Sequence, residues 1–253
     1  MKKVWSFGDS FARGVCDGKW IKTYAEYFKE ANGFETFESV SQPGASMLDI
    51  AGFINNKLTE IEEDDFVIVI NTTPNRFPYP TVIKPTDKPY ALNAIIDEEK
   101  SKLEHFPWID NANPGLEHHD NIKKKLPYKF KYFFNFYIEI IKNEIASEGY
   151  SNYFKWHLDS SIKNIKTRTR NVMVLDCSLW SMKTLESLVS NSIQVKCRCK
   201  HWNQNGHKLL SKIIKWSVDN NIYYLDDNLF ETMDSDLKKD LIDKLKIRND
   251  LIQ

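Results

Sequence analysis

Long apolar runs, cysteine and an excess of charge of one sign are all scarce in this sequence. No segment of the 253 residues approaches 18 consecutive apolar residues, and a run of about 18 is what a transmembrane helix requires. Lysine plus arginine and aspartate plus glutamate both count 35. This balance gives no electrostatic reason to expect a membrane surface or a nucleic acid as partner. The sequence shows no internal repeat, and it leaves the oligomeric state open.

The small number of cysteines and the start of the chain bear on the compartment. After Met1-Lys2-Lys3 the apolar stretch is short and is broken at Gly8-Asp9, unlike a signal peptide. Cysteines without a secretion signal predict reduced thiols and a cytoplasmic location. They are Cys16, Cys177, Cys197 and Cys199. Cys197 and Cys199 alternate with His201, but structural zinc sites more often use wider cysteine spacings and need a fourth ligand. We therefore expect no metal site.

Strands and helices alternate along most of the chain, and 42% of the residues are apolar. Strands are predicted at residues 3–8, 36–40, 66–70, 171–176 and 193–197. Helices are predicted at residues 19–31, 47–62, 206–220 and 235–252. The continuous β-branched run Phe66-Val67-Ile68-Val69-Ile70 is typical of a central parallel strand that is covered on both faces. This pattern predicts a doubly wound α/β sheet.

The alternation stops between the third and fourth predicted strands. From about Arg76 to Lys166 no segment resembles a strand of similar quality. We expect an α/β domain formed by residues 1–76 and 167–253, with an inserted, mainly helical subdomain at 77–166. Its predicted helices run from Tyr128 to Ala146 and from Asn152 to Ile165. From Lys123 to Phe133, lysines are interleaved with aromatic residues. This pattern fits either a glycan or polyanion surface or an amphipathic helix with a solvated edge. We favour the amphipathic helix.

Gly8-Asp9-Ser10 places a hydroxyl group directly after the first buried strand. The carboxyl ends of parallel strands are where open α/β sheets bind ligands. Ser10 is therefore a candidate nucleophile, although a serine here could also serve only as a turn or cap. A nucleophilic serine needs a base, and His201 in Lys200-His201-Trp202-Asn203 is the candidate. His207 lies near the start of a predicted helix, where we expect a structural role.

Further polar residues follow the second and third predicted strands. Gly44 allows close backbone approach, and its N–H together with that of Ser10 could bind an oxyanion. The segment after residue 70 contributes further candidate donors, which are Asn71, Thr73 and Asn75. Arg76 could bind an anionic group of the substrate. Each of these residues could instead cap a loop.

Four segments occur in the order found in the SGNH/GDSL hydrolase superfamily, which this chain resembles. They are Phe7-Gly8-Asp9-Ser10-Phe11, Gln42-Pro43-Gly44-Ala45-Ser46, residues 70–75 and residues 200–207. The resemblance covers residues 3–75 and 171–216. It implies a flavodoxin-like three-layer α/β/α sandwich, with Ser10 as nucleophile, Gly44 as oxyanion donor and His201 as base. It implies no cofactor. The residue pattern around His201 is most similar to phage-encoded and acetyl-transfer branches of the superfamily. A composition rich in lysine, asparagine and isoleucine agrees with a phage origin.

Two departures from the family pattern concern the catalytic residues. Thr73 stands where the family has its oxyanion asparagine, unless Asn71 substitutes for it. The family's acid precedes the histidine by two or three residues, where this chain has Arg198 and Cys199. Asp176, at the end of its predicted strand, is a tentative replacement. The alternative is a Ser–His dyad in which a backbone carbonyl orients the imidazole.

Three functions agree with these residues. The first is a serine esterase or deacetylase that acts on an acyl ester of a small molecule or glycan, where the acyl group is an acetyl. The second is a glycan O-acyltransferase that uses the same residues. The third is a binding or structural protein that has kept the fold without turnover. We expect the first.

Overall fold

A parallel sheet lies at the centre of the part of the chain that the structure describes. The computed structural model describes residues 2–16, 19–42, 45–72, 148–176, 195, 201–226 and 234–245. The strands are β1 (Lys3–Gly8), β2 (Val15–Cys16), β3 (Lys19–Trp20), β4 (Thr36–Ser41), β5 (Phe66–Ile70), β6 (Val172–Leu175) and β7 (Tyr224–Leu225). Within the described residues, one sheet has five strands in the order β4-β1-β5-β6-β7, and every pairing in it is parallel.

This strand order identifies the fold class. Numbered within the sheet alone, the order is 2-1-3-4-5, which is that of flavodoxin-like doubly wound folds. In such a sheet the direction of winding reverses between β1 and β5, and ligands bind in the crevice at the carboxyl ends of those strands. The predicted flavodoxin-like α/β/α class is therefore confirmed.

Helices cover both faces of the sheet. They are α1 (Ser10–Arg13), α2 (Tyr24–Ala31), α3 (Met47–Lys57), α4 (Glu148–Lys166), α5 (Gln204–Asp219) and α6 (Ser235–Leu245), with a 3-10 turn at Leu58–Glu60. Successive strand residues point to opposite faces. Trp5 and Phe7 of β1 therefore pack in one cluster with residues of α3 and α4. Val4 belongs to the opposite cluster with residues of α2 and α5. None of the helices in the described ranges is long and apolar enough to cross a bilayer.

The start of the second helix differs from the prediction. We expected one helix over residues 19–31. Instead, Lys19–Trp20 pairs with Val15–Cys16 as an antiparallel hairpin, and α2 begins at Tyr24. Thr23 caps this helix through a reciprocal capping box with Glu26, which satisfies free N–H groups at the helix start. Trp20 is consequently 67% exposed.

Other element bounds shift by small amounts. The predicted helix 47–62 ends at Lys57 and continues as the 3-10 turn. The predicted helix 206–220 is found at Gln204–Asp219. Of the predicted strand 193–197, only Val195 lies within the described residues. Of the predicted helix 235–252, the structure describes the first part, which forms the helix Ser235–Leu245.

The proposed insertion lies mostly outside the described residues, so the domain division stays a prediction. The predicted helix 128–146 is among the residues that are not described. The predicted helix 152–165 is found within α4. Phe154, Leu158, Ile162 and Ile165 of this helix are buried in the same cluster as Trp5. The α4 helix therefore completes one face of the sheet.

Candidate active site

Ser10 and His201 meet at the carboxyl end of the sheet. Ser10 is the first residue of α1, directly beyond β1, and only 5% of its surface is exposed. Its Oγ lies 2.9 Å from Nε2 of His201 across 191 positions of sequence. This is a normal hydrogen-bond distance. A serine hydroxyl and an imidazole in this arrangement can exchange a proton without any rearrangement of the chain.

Asp9 connects the nucleophile turn to the central strand. Its side chain accepts a hydrogen bond from the N–H of Phe11 at 3.0 Å, which caps α1. Its other carboxylate oxygen accepts a hydrogen bond from the hydroxyl of Thr72 at 3.2 Å. Thr72 follows β5, so this buried carboxylate joins the ends of two neighbouring strands. Ser10 is thereby held at the crevice where the winding of the sheet reverses.

Gly8 lets α1 approach the sheet closely. A Cβ atom at this position would lie 2.9 Å from Cβ of Ala12 and 3.0 Å from Cβ of Ile70. Real Cβ atoms essentially never come as close as 2.9 Å to another atom, and a distance of 3.0 Å is tighter than nine in ten of their contacts. The glycine of the Gly-Asp-Ser sequence is therefore a packing requirement here. Without it, the turn that carries Ser10 would move away from β5.

The segment that carries His201 is held by two hydrogen bonds of Asn203. Asn203 caps α5 by accepting a hydrogen bond from the N–H of Gly206 at 3.0 Å. The backbone N–H of Asn203 donates to the carbonyl of Val195 at 2.9 Å. A Cβ atom on Gly206 would lie 2.6 Å from that same carbonyl oxygen. The glycine thus allows the start of α5 to pack closely enough to position His201.

The ring of Phe11 packs against the imidazole of His201, and further aromatic rings lie behind Phe11. The ring of Phe11, next to the nucleophile, lies 4.7 Å from the His201 ring at an angle of 43°. Phe11 also contacts the buried ring of Trp202 edge-on at 5.5 Å. Trp202 in turn meets the ring of His207 at 5.7 Å, nearly perpendicular. This packing restricts the rotation of the imidazole. Sequence inspection missed the contribution of Phe11 because its partners are distant in the chain.

His207 is a buried structural histidine. Its Nδ1 accepts a hydrogen bond from the backbone N–H of Tyr24 at 3.2 Å, so its ring proton resides on Nε2. Burial, reinforced by the nearby His201 ring, lowers the pKa of His207 from 6.5 to about 3. The ring therefore stays neutral in the folded protein at ordinary pH. It attaches the start of α5 to α2 without placing a charge behind His201.

The neutral His207 predicts a pH-dependent stability. Between pH about 3 and 6.5 the unfolded chain binds a proton at this position that the folded chain does not. The contribution of His207 to the free energy of unfolding is therefore fully present above pH 6.5. It falls with decreasing pH, by about 1.4 kcal/mol per pH unit. In His207→Gln the amide oxygen can still accept a hydrogen bond from Tyr24, but the side chain does not titrate. Between pH 6.5 and 5, we expect the free energy of unfolding of this variant to fall by about 2 kcal/mol less than that of wild type. Urea unfolding at the two pH values measures this difference.

Asp49 makes the free energy of unfolding depend on pH in the opposite direction, over part of the same pH range. Burial raises the pKa of this α3 residue from 3.8 to about 6. Its effect on stability therefore declines as pH rises through that interval. Because both proteins contain Asp49, its contribution cancels when wild type and the His207 variant are compared. An identical loss of stability in the two proteins would contradict the role assigned to His207.

The other predicted site residues are distributed as follows. Asn71 is buried directly after β5, and its Oδ1 has no hydrogen-bond partner among the described residues. Asp176 follows β6, and its Oδ2 accepts a hydrogen bond from the hydroxyl of Tyr224 at 2.6 Å. The remaining candidates lie outside the described residues; they are Gly44, Thr73, Asn75 and Arg76, together with Cys197 and Cys199.

Two solved structures of lipolytic enzymes are similar to this chain. One is a phospholipase A1 from Streptomyces albidoflavus NA297, with 14% identity and a TM-score of 0.35 over 93% of this chain and 84% of that one. The other is a lipase/acylhydrolase from Enterococcus faecalis, with 13% identity and a TM-score of 0.38 over 87% and 97%. No protein-family model and no curated protein matches the sequence. At these TM-scores we transfer no functional residue from either enzyme.

Proposed function

We propose that the protein is a serine esterase that hydrolyses acyl esters through Ser10 and His201. The observation that carries this proposal is the distance of 2.9 Å between Ser10 Oγ and His201 Nε2. These atoms belong to residues far apart in the sequence, and they meet where flavodoxin-like folds bind ligands. Support also comes from the buried Asp9 carboxylate and from the close packing at Gly8, which hold the serine in place.

The reaction requires His201 to be neutral with its proton on Nδ1, so that Nε2 can accept. Ser10 Oγ attacks the carbonyl carbon of the ester while Nε2 takes the hydroxyl proton. The tetrahedral intermediate collapses, the C–O bond to the alcohol breaks, and the alcohol leaves with that proton. Water then attacks the acyl-serine, gives its proton to Nε2, and releases the carboxylic acid. The hydroxyl of Ser10 is restored.

The oxyanion of the tetrahedral intermediate needs donors that are already oriented. The backbone N–H of Ser10 is one candidate, since among the described residues it donates to no other acceptor. The side-chain amide of Asn71, a buried residue directly after β5, is a second candidate. We propose the Gly44 N–H as a third donor, with Thr73 and Asn75 as alternatives to Asn71. Arg76 is proposed to contact the substrate.

The group that orients His201 is proposed to be either Asp176 or a backbone carbonyl. Asp176 already accepts a hydrogen bond from Tyr224, but a carboxylate can accept several. A Ser–His dyad without an acid keeps activity above background, since removing the acid from a triad costs about 10⁴-fold in turnover and leaves residual catalysis. As substrate we propose an acetyl ester, carried by a glycan or a small molecule. Support comes from the resemblance of the segment around His201 to acetyl-transfer proteins.

Covalent labelling tests whether Ser10 is an activated nucleophile. A fluorophosphonate reacts with serines that have a base within hydrogen-bond distance. We expect stoichiometric labelling at Ser10, identified by mass spectrometry of the digested protein. His201→Ala should slow the labelling strongly, because the hydroxyl then loses its base. Absence of label on Ser10 in a folded sample would reject the proposed esterase.

A further inference from the structure

Arg13, three residues after the candidate nucleophile, makes a cation–π contact with the exposed side chain of Trp20. Arg13 is the last residue of α1, the helix that begins with Ser10. The hairpin that follows brings Trp20 back, paired with Val15. The guanidinium carbon of Arg13 lies 4.8 Å from the centroid of the Trp20 ring. Trp20 is the most exposed of the large apolar side chains in the described residues, at 67%. A tryptophan this exposed contributes little to the core.

Arg13 has no acidic partner in the part of the chain that the structure describes. Its contact there is the cation–π contact with Trp20, with no hydrogen bond or ion pair to a carboxylate. Lysines such as Lys57 and Lys215 do pair with nearby acids. A cation–π contact uses none of the five guanidinium N–H groups to donate to a carboxylate. Within the described residues these donors therefore have no acidic acceptor, and they can bind one from a ligand.

The position of Arg13 relative to Ser10 follows from helix geometry. Residues three apart lie on the same face of a helix, with about 5–6 Å between their Cβ atoms. Ser10 and Arg13, the first and last residues of α1, therefore share one face of this helix. The planar N–H groups of an arginine match the two oxygens of a carboxylate, which they bind in a bidentate manner. The charge next to the nucleophile thus suits an anionic substrate.

Gly14 fixes the hairpin to the helix that carries the nucleophile. It adopts a left-handed conformation, with φ of 69°, and caps α1. Its carbonyl accepts a hydrogen bond from the N–H of Ile21 at 2.8 Å. A Cβ atom on Gly14 would lie 2.6 Å from the Ile21 carbonyl oxygen and 2.6 Å from Thr23 Cγ2. This close packing keeps Trp20 against Arg13, and so keeps the pair in one place relative to Ser10.

From these observations we infer that Arg13, supported by Trp20, binds a carboxylate of the substrate next to the ester that Ser10 attacks. This inference rests on the proposed esterase function and narrows its substrate class to esters with a carboxylate a few bonds from the reacting carbonyl. Arg13 supplies the bidentate donors. Trp20 orients the guanidinium and offers its edge to an apolar or sugar ring of the substrate.

A pair of matched esters tests the inference. 4-Acetoxybenzoate carries a carboxylate, and 4-acetoxybenzamide has a similar size without charge. The carboxamide withdraws electrons more strongly than the carboxylate, so leaving-group acidity alone would favour the benzamide. We expect wild type to show a kcat/KM for the benzoate roughly tenfold or more above that for the benzamide, since a charge-assisted hydrogen bond contributes at this level. The preference should appear mainly in KM, because the carboxylate is bound equally in the ground and transition states. It should weaken as ionic strength rises.

Variants separate Arg13 from a general charge effect. Arg13→Gln should bring the benzoate-to-benzamide ratio close to one, and Arg13→Lys should retain part of the preference. Trp20→Leu should give an intermediate ratio. Lys22→Gln is the matched control, since it removes a nearby positive charge whose partners are Glu30 and Tyr27. The ratio for this control should equal that of wild type.

The outcomes distinguish the two proposals. If wild type hydrolyses both esters with equal kcat/KM, the carboxylate site is rejected while the esterase function stands. An equal fall in the ratio for the Lys22 and Arg13 variants also rejects it, because the effect would then be one of overall charge. If wild type hydrolyses neither ester and Ser10 takes no fluorophosphonate, the esterase function fails and the carboxylate site fails with it.

Discussion

Replacing Ser10 with alanine is expected to lower kcat for p-nitrophenyl acetate by about 10³-fold or more, since removing a catalytic serine has effects of this size or larger. The substitution removes the Oγ atom that lies 2.9 Å from His201 Nε2. Without it, no acyl-enzyme can form at this position, and the initial burst of p-nitrophenol should disappear. Oxyanion donors and substrate binding remain, so a small residual rate is expected. Stopped-flow absorbance measures both the burst and the steady state.

The fold must be intact for this comparison. Ser160→Ala, on the surface of α4 and outside the site, is the matched control and should retain wild-type turnover. Circular dichroism and urea unfolding should show the same fold for the Ser10 variant. Equal turnover of wild type and Ser10→Ala would reject the esterase assignment. Asp176→Asn in the same assay identifies the orienting group: a fall near 10⁴-fold assigns it to Asp176, and unchanged turnover indicates the dyad.

The second large effect is expected at Asp65, which precedes the central strand. This buried carboxylate accepts hydrogen bonds from the backbone N–H of Lys3 at 2.9 Å and from the indole N–H of Trp5 at 2.8 Å. It also accepts one from the N–H of Glu62 at 3.0 Å. Asp65→Ala leaves all three donors without this acceptor; the hydrogen bond of the Trp5 indole is buried, and those of the two backbone N–H groups are partly buried. An unsatisfied donor that is fully buried costs about 1–3 kcal/mol. We expect a loss of about 3–5 kcal/mol in the free energy of unfolding.

Such a loss is a large part of the stability of a typical domain, about 5–15 kcal/mol. Asp64→Ala is the matched control, because the neighbouring carboxylate is exposed and its removal should change stability by about 0.5 kcal/mol or less. Asp65→Asn keeps one acceptor oxygen and should fall between the two. Urea unfolding followed by circular dichroism measures all three variants. A free energy of unfolding within error of wild type for Asp65→Ala would show that the network contributes nothing net.

The central strands and the position of the candidate nucleophile could be predicted from local sequence. The β-branched run of β5 and the apolar run before Gly8 predict buried strands, because such side chains suit a sheet covered on both faces. The start of α2 was missed. Trp20 fits the helical periodicity of Tyr24 and Phe28, yet it lies in a hairpin. The sequence Thr23-Tyr24-Ala25-Glu26 carries a capping-box signal that marks the true helix start.

Other features have no clear local signal. The strand β7 consists of Tyr224–Leu225, which is too short for an alternating pattern to be recognised. The contact between Phe11 and His201 and the bond between Thr72 and Asp9 join residues that are distant in the chain. The lack of an acidic partner for Arg13 in the described residues likewise depends on which carboxylates the fold brings nearby. Helical periodicity and capping signals carry no information on such pairs.

By itself the sequence determined the order of most of the main elements, because this order follows from the propensities and spacing of neighbouring residues. Only the tertiary structure decided that the hydroxyl of Ser10 meets the imidazole of His201, and that the guanidinium of Arg13 contacts the ring of Trp20. The physical reason is that parallel pairing collects the carboxyl ends of all strands at one edge. Which of those ends become neighbours depends on the strand order, and that order is set by the packing of the whole sheet.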